Sequence, residues 1–101
     1  MAKQFILLDD GEFFIERNSN GEAATTNGFL LRRCPISLTT PSGYECIGGY
    51  ERAAFGDWRA SINAPYDGQT DSDCRELGRF EAQLDAITVL WKARREAYCQ
   101  H

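Results

Sequence analysis

The Asp10-Gly11 pair constrains this chain more than any other feature. Asp-Gly favours the positive φ angles of a tight hairpin turn, and it lies between Phe5-Ile6-Leu7-Leu8 and Phe13-Phe14-Ile15, two runs rich in β-forming residues. With Asp10 and Gly11 as a two-residue loop, Leu8 opposes Phe13, Leu7 opposes Phe14, Ile6 opposes Ile15 and Phe5 opposes Glu16. One face of this hairpin, residues 5–16, then carries Ile6, Leu8, Phe13 and Ile15, and the other carries Phe5, Leu7 and Phe14. An antiparallel sheet with one wet face alternates apolar and polar residues, so a hairpin apolar on both sides needs cover on both.

More β-structure follows. Asn18 to Gly28 is rich in Asn, Gly and Thr and reads as a surface loop. Phe29-Leu30-Leu31 is a third strand, ended by Arg32-Arg33 and Cys34-Pro35, and Thr39 to Gly43 is a turn. Tyr44 to Ile47 is a further strand, with a bulge or bend at Gly48-Gly49. Gly56-Asp57 suits a type II′ hairpin across residues 50–64, which places Ala53, Phe55, Trp58, Ala60 and Ile62 on one side. Pro65-Tyr66-Asp67-Gly68 ends the β part in a turn.

From Asp73 the pattern becomes helical. Leu77, Phe80, Leu84, Ile87 and Trp91 recur at alternating spacings of three and four, with Leu90 widening the stripe and Tyr98 extending it. Asp73 and Glu76 resemble a capping box, and Gly78 inside the segment costs about 1 kcal/mol relative to Ala. A helix over about 73–98 is roughly 39 Å long. A compact domain of this size is about 33 Å across, so Trp91 and Tyr98 fall on a projecting end suited to an intermolecular contact. The expected architecture is α+β: an antiparallel sheet of about four to five strands with one long C-terminal amphipathic helix packed on it. One helix covers one sheet face, so either the second hairpin folds back as another layer or a second molecule supplies the cover.

At 101 residues the chain has enough apolar surface for one core, so residues 1–101 read as a single domain. The net charge of -4 removes any general attraction for a phosphate backbone. The first residues lack the apolar stretch of a secretory signal, and nothing approaches a membrane span. The expected compartment is the cytoplasm, where Cys34, Cys46, Cys74 and Cys99 remain thiols; a Cys34 to Cys46 bridge is open only in an oxidising one.

Candidate chemistry is sparse. The single histidine, His101, is the last residue, a poor place for an oriented catalytic base. The cysteines are separated by twelve, twenty-eight and twenty-five positions, so no CxxC knuckle forms, no metal site is expected, and small core hydrophobes are the simpler reading. Asp9, Asp10 and Glu12 cluster at a turn for backbone reasons. Asp71 and Asp73 before the expected helix, with Lys92, Arg94 and Arg95 at its end, complement its macrodipole. No phosphate cradle and no alternating aromatic RNA platform is present, and no cofactor is implied.

The leading expectation is therefore a small cytoplasmic non-catalytic protein-interaction domain, binding another protein or a second copy of itself through Trp91 and Tyr98, with Arg32, Arg33, Arg94 and Arg95 as candidate contacts. The alternative is a nucleic-acid-associated regulator in which Arg32, Arg33, Lys92, Arg94 and Arg95 form one patch, provided the end of the third strand lies beside the helix terminus. An enzyme using carboxylate or cysteine chemistry ranks last.

Overall fold

A computed structural model describes residues 5–17 and 27–98, so residues 18–26 of the loop expected from Asn18 to Gly28, with Cys99 and His101, lie outside the described residues, while Asn27 and Gly28 belong to a strand. Six strands form one antiparallel sheet in the order β1-β2-β3-β4-β5-β6. They are β1 (Phe5–Asp9), β2 (Phe13–Arg17), β3 (Asn27–Arg33), β4 (Tyr44–Arg52), β5 (Trp58–Asp67) and β6 (Ser72–Phe80). Among the described residues one α-helix, α1 (Gln83–Lys92), and a 3₁₀ turn over Arg94–Glu96 follow.

The α+β class and the C-terminal helix are as expected, but the strand count is six and the helix is short. The segment expected to begin a helix at Asp73 is β6, which pairs with β5 from Asn63↔Cys74 to Trp58↔Phe80. A helix there would leave the outer backbone groups of β5 without this ladder. Leu77 and Phe80 pack against the core from the strand because Leu77 is a bulge residue followed by Gly78 at φ 133. The supposed capping box is thus a piece of strand, Asp71 sits at φ 50 in the β5–β6 turn, and Pro65 to Asp67 extends β5 instead of ending it. At ten residues α1 is about 15 Å long and does not outrun the domain.

Both hairpin registers also differ from the simplest reading. In the first, Asp9 pairs with Phe14 and Leu8 with Ile15, while a bulge at Leu7 puts Ile6 opposite Glu16. Leu8 therefore shares the Phe13 and Ile15 face and Ile6 takes the other. The Asp10 carboxylate explains the shift: it accepts from the N–H groups of Glu12 (3.0 Å) and Phe13 (2.7 Å), and Asp9 Oδ1 accepts from Gly11 (2.9 Å). Side-chain acceptors close the turn one step beyond the two-residue loop. The β4–β5 loop comprises Ala54, Phe55 and Gly56, with Gly56 at φ 94, and Gly56 N–H donates to Ala53 O at 3.0 Å. This is the three-residue hairpin geometry. It carries Phe55 out to 94% exposure at the tip, away from the Ala60 and Ile62 face.

The core lies between α1 and one face of the sheet. Phe13, Ile15, Leu30, Ile47, Tyr50, Ala60 and Ile62 are buried there against Ala86, Ile87, Leu90 and Ala93. Ile47 bulges from β4 where Leu30 faces Gly48 and Leu31 faces Cys46, close to the bulge expected at Gly48-Gly49. On the opposite face Phe14 and Leu31 pair and are buried as a small satellite. The Tyr44 ring meets Phe14 edge-on with centroids 5.8 Å apart, and the Arg33 guanidinium lies 4.3 Å from the Phe14 centroid. The second hairpin does not fold back as another layer; it continues the same sheet.

Two substitutions test this packing. Leu90 is fully buried in the α1 stripe, so Leu90→Ala lowers unfolding free energy by about 3 kcal/mol in urea denaturation. A Cβ on Gly48 would lie 2.7 Å from the Ser61 carbonyl oxygen, a backbone atom held in the ladder, so Gly48→Ala costs about 2 kcal/mol although it adds one methyl.

Candidate functional site

Three surfaces compete for a functional role. The first holds most of the residues singled out in the sequence. The end of β3 does lie beside the end of α1, and between them stands the β1–β2 turn. Arg33 forks onto both oxygens of Asp9 at 2.8 and 2.9 Å, and Arg32 Nε donates to Glu12 Oε2 at 2.9 Å. Arg94 Nε donates to Asp10 Oδ2 at 2.8 Å while its Nη1 donates to Trp91 O at 2.8 Å, capping α1. Arg95 approaches Asp10 and Glu12, each at 3.9 Å, and Arg32 Nη1 lies 3.8 Å from Glu45 Oε1.

The four guanidinium groups meet four carboxylates, so their formal charges cancel. The hydrogen bond from Phe13 N–H, reinforced by those from Arg94 and Glu12, holds the Asp10 carboxyl down at about 2. The Arg33 hydrogen bond lowers Asp9 in the same way, and Asp9 in turn raises Arg33. Trp91 is half-buried, with the Arg94 guanidinium 4.2 Å from its ring centroid. Lys92 is exposed at the end of α1.

The second surface is apolar. Ile6, Leu7, Leu8 and Leu84 are 46%, 41%, 36% and 71% exposed. Leu7, Leu8, Leu84 and Ile87 line a groove of about 340 Å³ between β1 and α1, together with Arg17, Gln83 and Thr88. Among the described residues no strand pairs with the outer edge of β1. At the other edge of the sheet, β6 carries Asp73, Arg75, Glu76 and Arg79 together with a bulge, features that discourage further strand pairing.

The third is a cleft that the sequence reading missed. The β4–β5 ladder ends at Gly48↔Ile62, although β4 starts back at Tyr44 and β5 runs on to Asp67. Where the strands part, Asn63 Nδ2 reaches Cys46 O at 3.1 Å and Tyr98 N–H donates to Asn63 O at 2.8 Å. The opening encloses about 590 Å³, lined chiefly by Tyr44, Glu45, Cys46, Asn63, Tyr66, Asp73 and Tyr98. Tyr98 thus belongs to this cleft and not to a projecting helix. Partial desolvation pushes the Cys46 thiol up, which opposes thiolate formation, yet Cys46, like Cys74, is exposed and not the small core hydrophobe the sequence suggested. The one hint in the sequence was Pro65, since proline lacks the donor a continuing ladder requires.

Cys34, Cys46 and Cys74 are free, and among the described residues no group of three or more His, Cys, Asp or Glu is placed to hold a metal ion. No helix of the described chain is long and apolar enough to cross a membrane. No protein-family model, curated protein or solved structure matches the chain. The function must therefore be argued from these surfaces.

The turn cluster yields a pH signature. Asp10 titrates at about 2 in the folded chain against an ordinary 3.8, so its contribution is fully present above 3.8 and lost as pH falls through 2. Asp10→Asn is expected to lower stability at pH 7 by about 2 kcal/mol, and the gap from the parent chain narrows steadily between pH 5 and 2 in urea denaturation. A gap independent of pH would assign the loss to turn geometry alone.

Proposed function

We propose that this chain is a non-catalytic interaction domain that self-associates through the exposed edge of β1. The observation that carries the reading is the asymmetry of the two sheet edges: β6 is charged, while β1, itself bulged at Leu7, presents apolar Ile6, Leu7 and Leu8 to solvent, the last two beside Leu84. An uncovered apolar edge strand invites a further strand, and a second copy provides a self-complementary one. Antiparallel pairing about a two-fold axis at Leu7 sets Ile6 of one copy against Leu8 of the other. Asp9 then falls opposite Phe5, so like charges do not face each other. The bulge at Leu7 turns Leu7 and Leu8 together towards α1, so Leu84 closes over the same seam.

This reading moves the contact away from Trp91 and Tyr98, which support α1 and line the β4–β5 cleft. The nucleic-acid alternative loses support because Arg32, Arg33, Arg94 and Arg95 each face a carboxylate. Free thiols at Cys34, Cys46 and Cys74 suit a cytoplasmic setting.

Size-exclusion chromatography with light scattering tests the proposal. The parent chain is expected at twice the monomer mass in a concentration-dependent equilibrium. Leu7→Lys, at an already exposed position, is expected to yield a folded monomer. A monomeric parent chain at millimolar concentration sinks the reading.

A further inference from the structure

We propose that the cleft between the splayed ends of β4 and β5 binds a small organic ammonium ion, with Asp73 supplying countercharge and Tyr44, Tyr66 and Tyr98 the aromatic wall. The volume of about 590 Å³ falls within the range of small-molecule sites. None of the described lining residues is Lys or Arg, while two are carboxylates and three are tyrosines. Tyrosine faces attract cations through the ring quadrupole, and the combination of aromatic faces and carboxylates selects an amine over an anion or a purely apolar guest.

Glu45 also lines the cleft, but its side chain is only 14% exposed and its enclosed Oε1 lies 3.8 Å from Arg32, which meets its charge; the exposed Asp73 carboxylate is therefore the one open to a guest. At the mouth, the Tyr66 hydroxyl donates to Asp71 Oδ1 at 2.5 Å, which orients the Tyr66 ring and adds a third carboxylate nearby. The cleft persists because Asn63 and Tyr98 occupy the Cys46 and Asn63 carbonyls that strand pairing would otherwise engage.

The test is a titration of the full chain with benzylammonium, and with benzoate and benzyl alcohol as probes of similar shape and different charge, followed by amide chemical shifts. Saturable shifts at Cys46, Asn63 and Tyr98 are expected with benzylammonium, weaker ones with benzyl alcohol and none with benzoate. Asp73→Asn and Tyr66→Leu, both at exposed positions, are each expected to weaken binding about fivefold without altering the spectrum elsewhere. Glu45→Gln is expected to weaken it less, because Arg32 already meets that charge. Equal binding of benzoate, shifts that map to another surface, or no saturation by benzylammonium in the tens of millimolar would each overturn the assignment. The state of association of the chain does not enter these readouts, so this result and the dimer test stand apart.

Discussion

The burial of α1 against the sheet is the contact on which the rest of the structure depends. A meander of six strands pairs its own backbone, yet it leaves Ile15, Leu30, Ile47 and Ile62 on one face with nothing above them. Ala86, Ile87, Leu90 and Ala93 are what cover that face. Ten residues suffice because the inward position Ala86 and the C-cap Ala93 are small, which lets the helix axis approach closely while Ile87 and Leu90 fill the space between strands. With α1 lacking a side-chain cap at its N-terminal Ala82, its placement depends on its C-terminal end, where Arg94 joins Trp91 O to Asp10.

That junction gives the acidic first turn two tasks. Asp9 and Asp10 satisfy three backbone N–H groups of the turn, as aspartates in such places do, and the same carboxylates receive Arg33 and Arg94 from β3 and the helix end. The turn is thus both a local fold element and the post to which distant segments are tied. The arginines that suggest a binding patch in one dimension become, in three, the means of closing the domain.

Much of the β-structure was legible because it is local: the Asp-Gly hairpin, the Phe29 to Leu31 strand and the Gly48-Gly49 irregularity all depend on short-range backbone preferences. The registers were not, since turn closure by the Asp10 carboxylate and an αL glycine at position 56 each shift the pairing of everything beyond them. The long helix failed for a different reason. Leu77 and Phe80 reach the core from a bulged strand, so a three-and-four spacing arises without helical winding; Gly78, already unfavourable in a helix, was the residue that argued against it. Juxtaposition of Arg32 and Arg33 with Arg94 and Arg95 was anticipated as a condition, but their neutralisation was not, because sequence does not show which charges face one another. The cleft, hinted at by Pro65 alone, escaped for a related reason: it exists where two strands cease to pair.

The plain order of the strands has a bearing on how the chain acquires its shape. Each strand finds its partner through the next connection along, so the sheet can zip up from contacts of short sequence separation, whereas the bond from Arg94 to Asp10 spans 84 positions. Until residues 86–93 are available, a nascent sheet carries its oily side uncovered, and the helix that follows the six strands acts as the lid. A molecule assembled in this order is most at risk of sticking to its neighbours before that lid is in place.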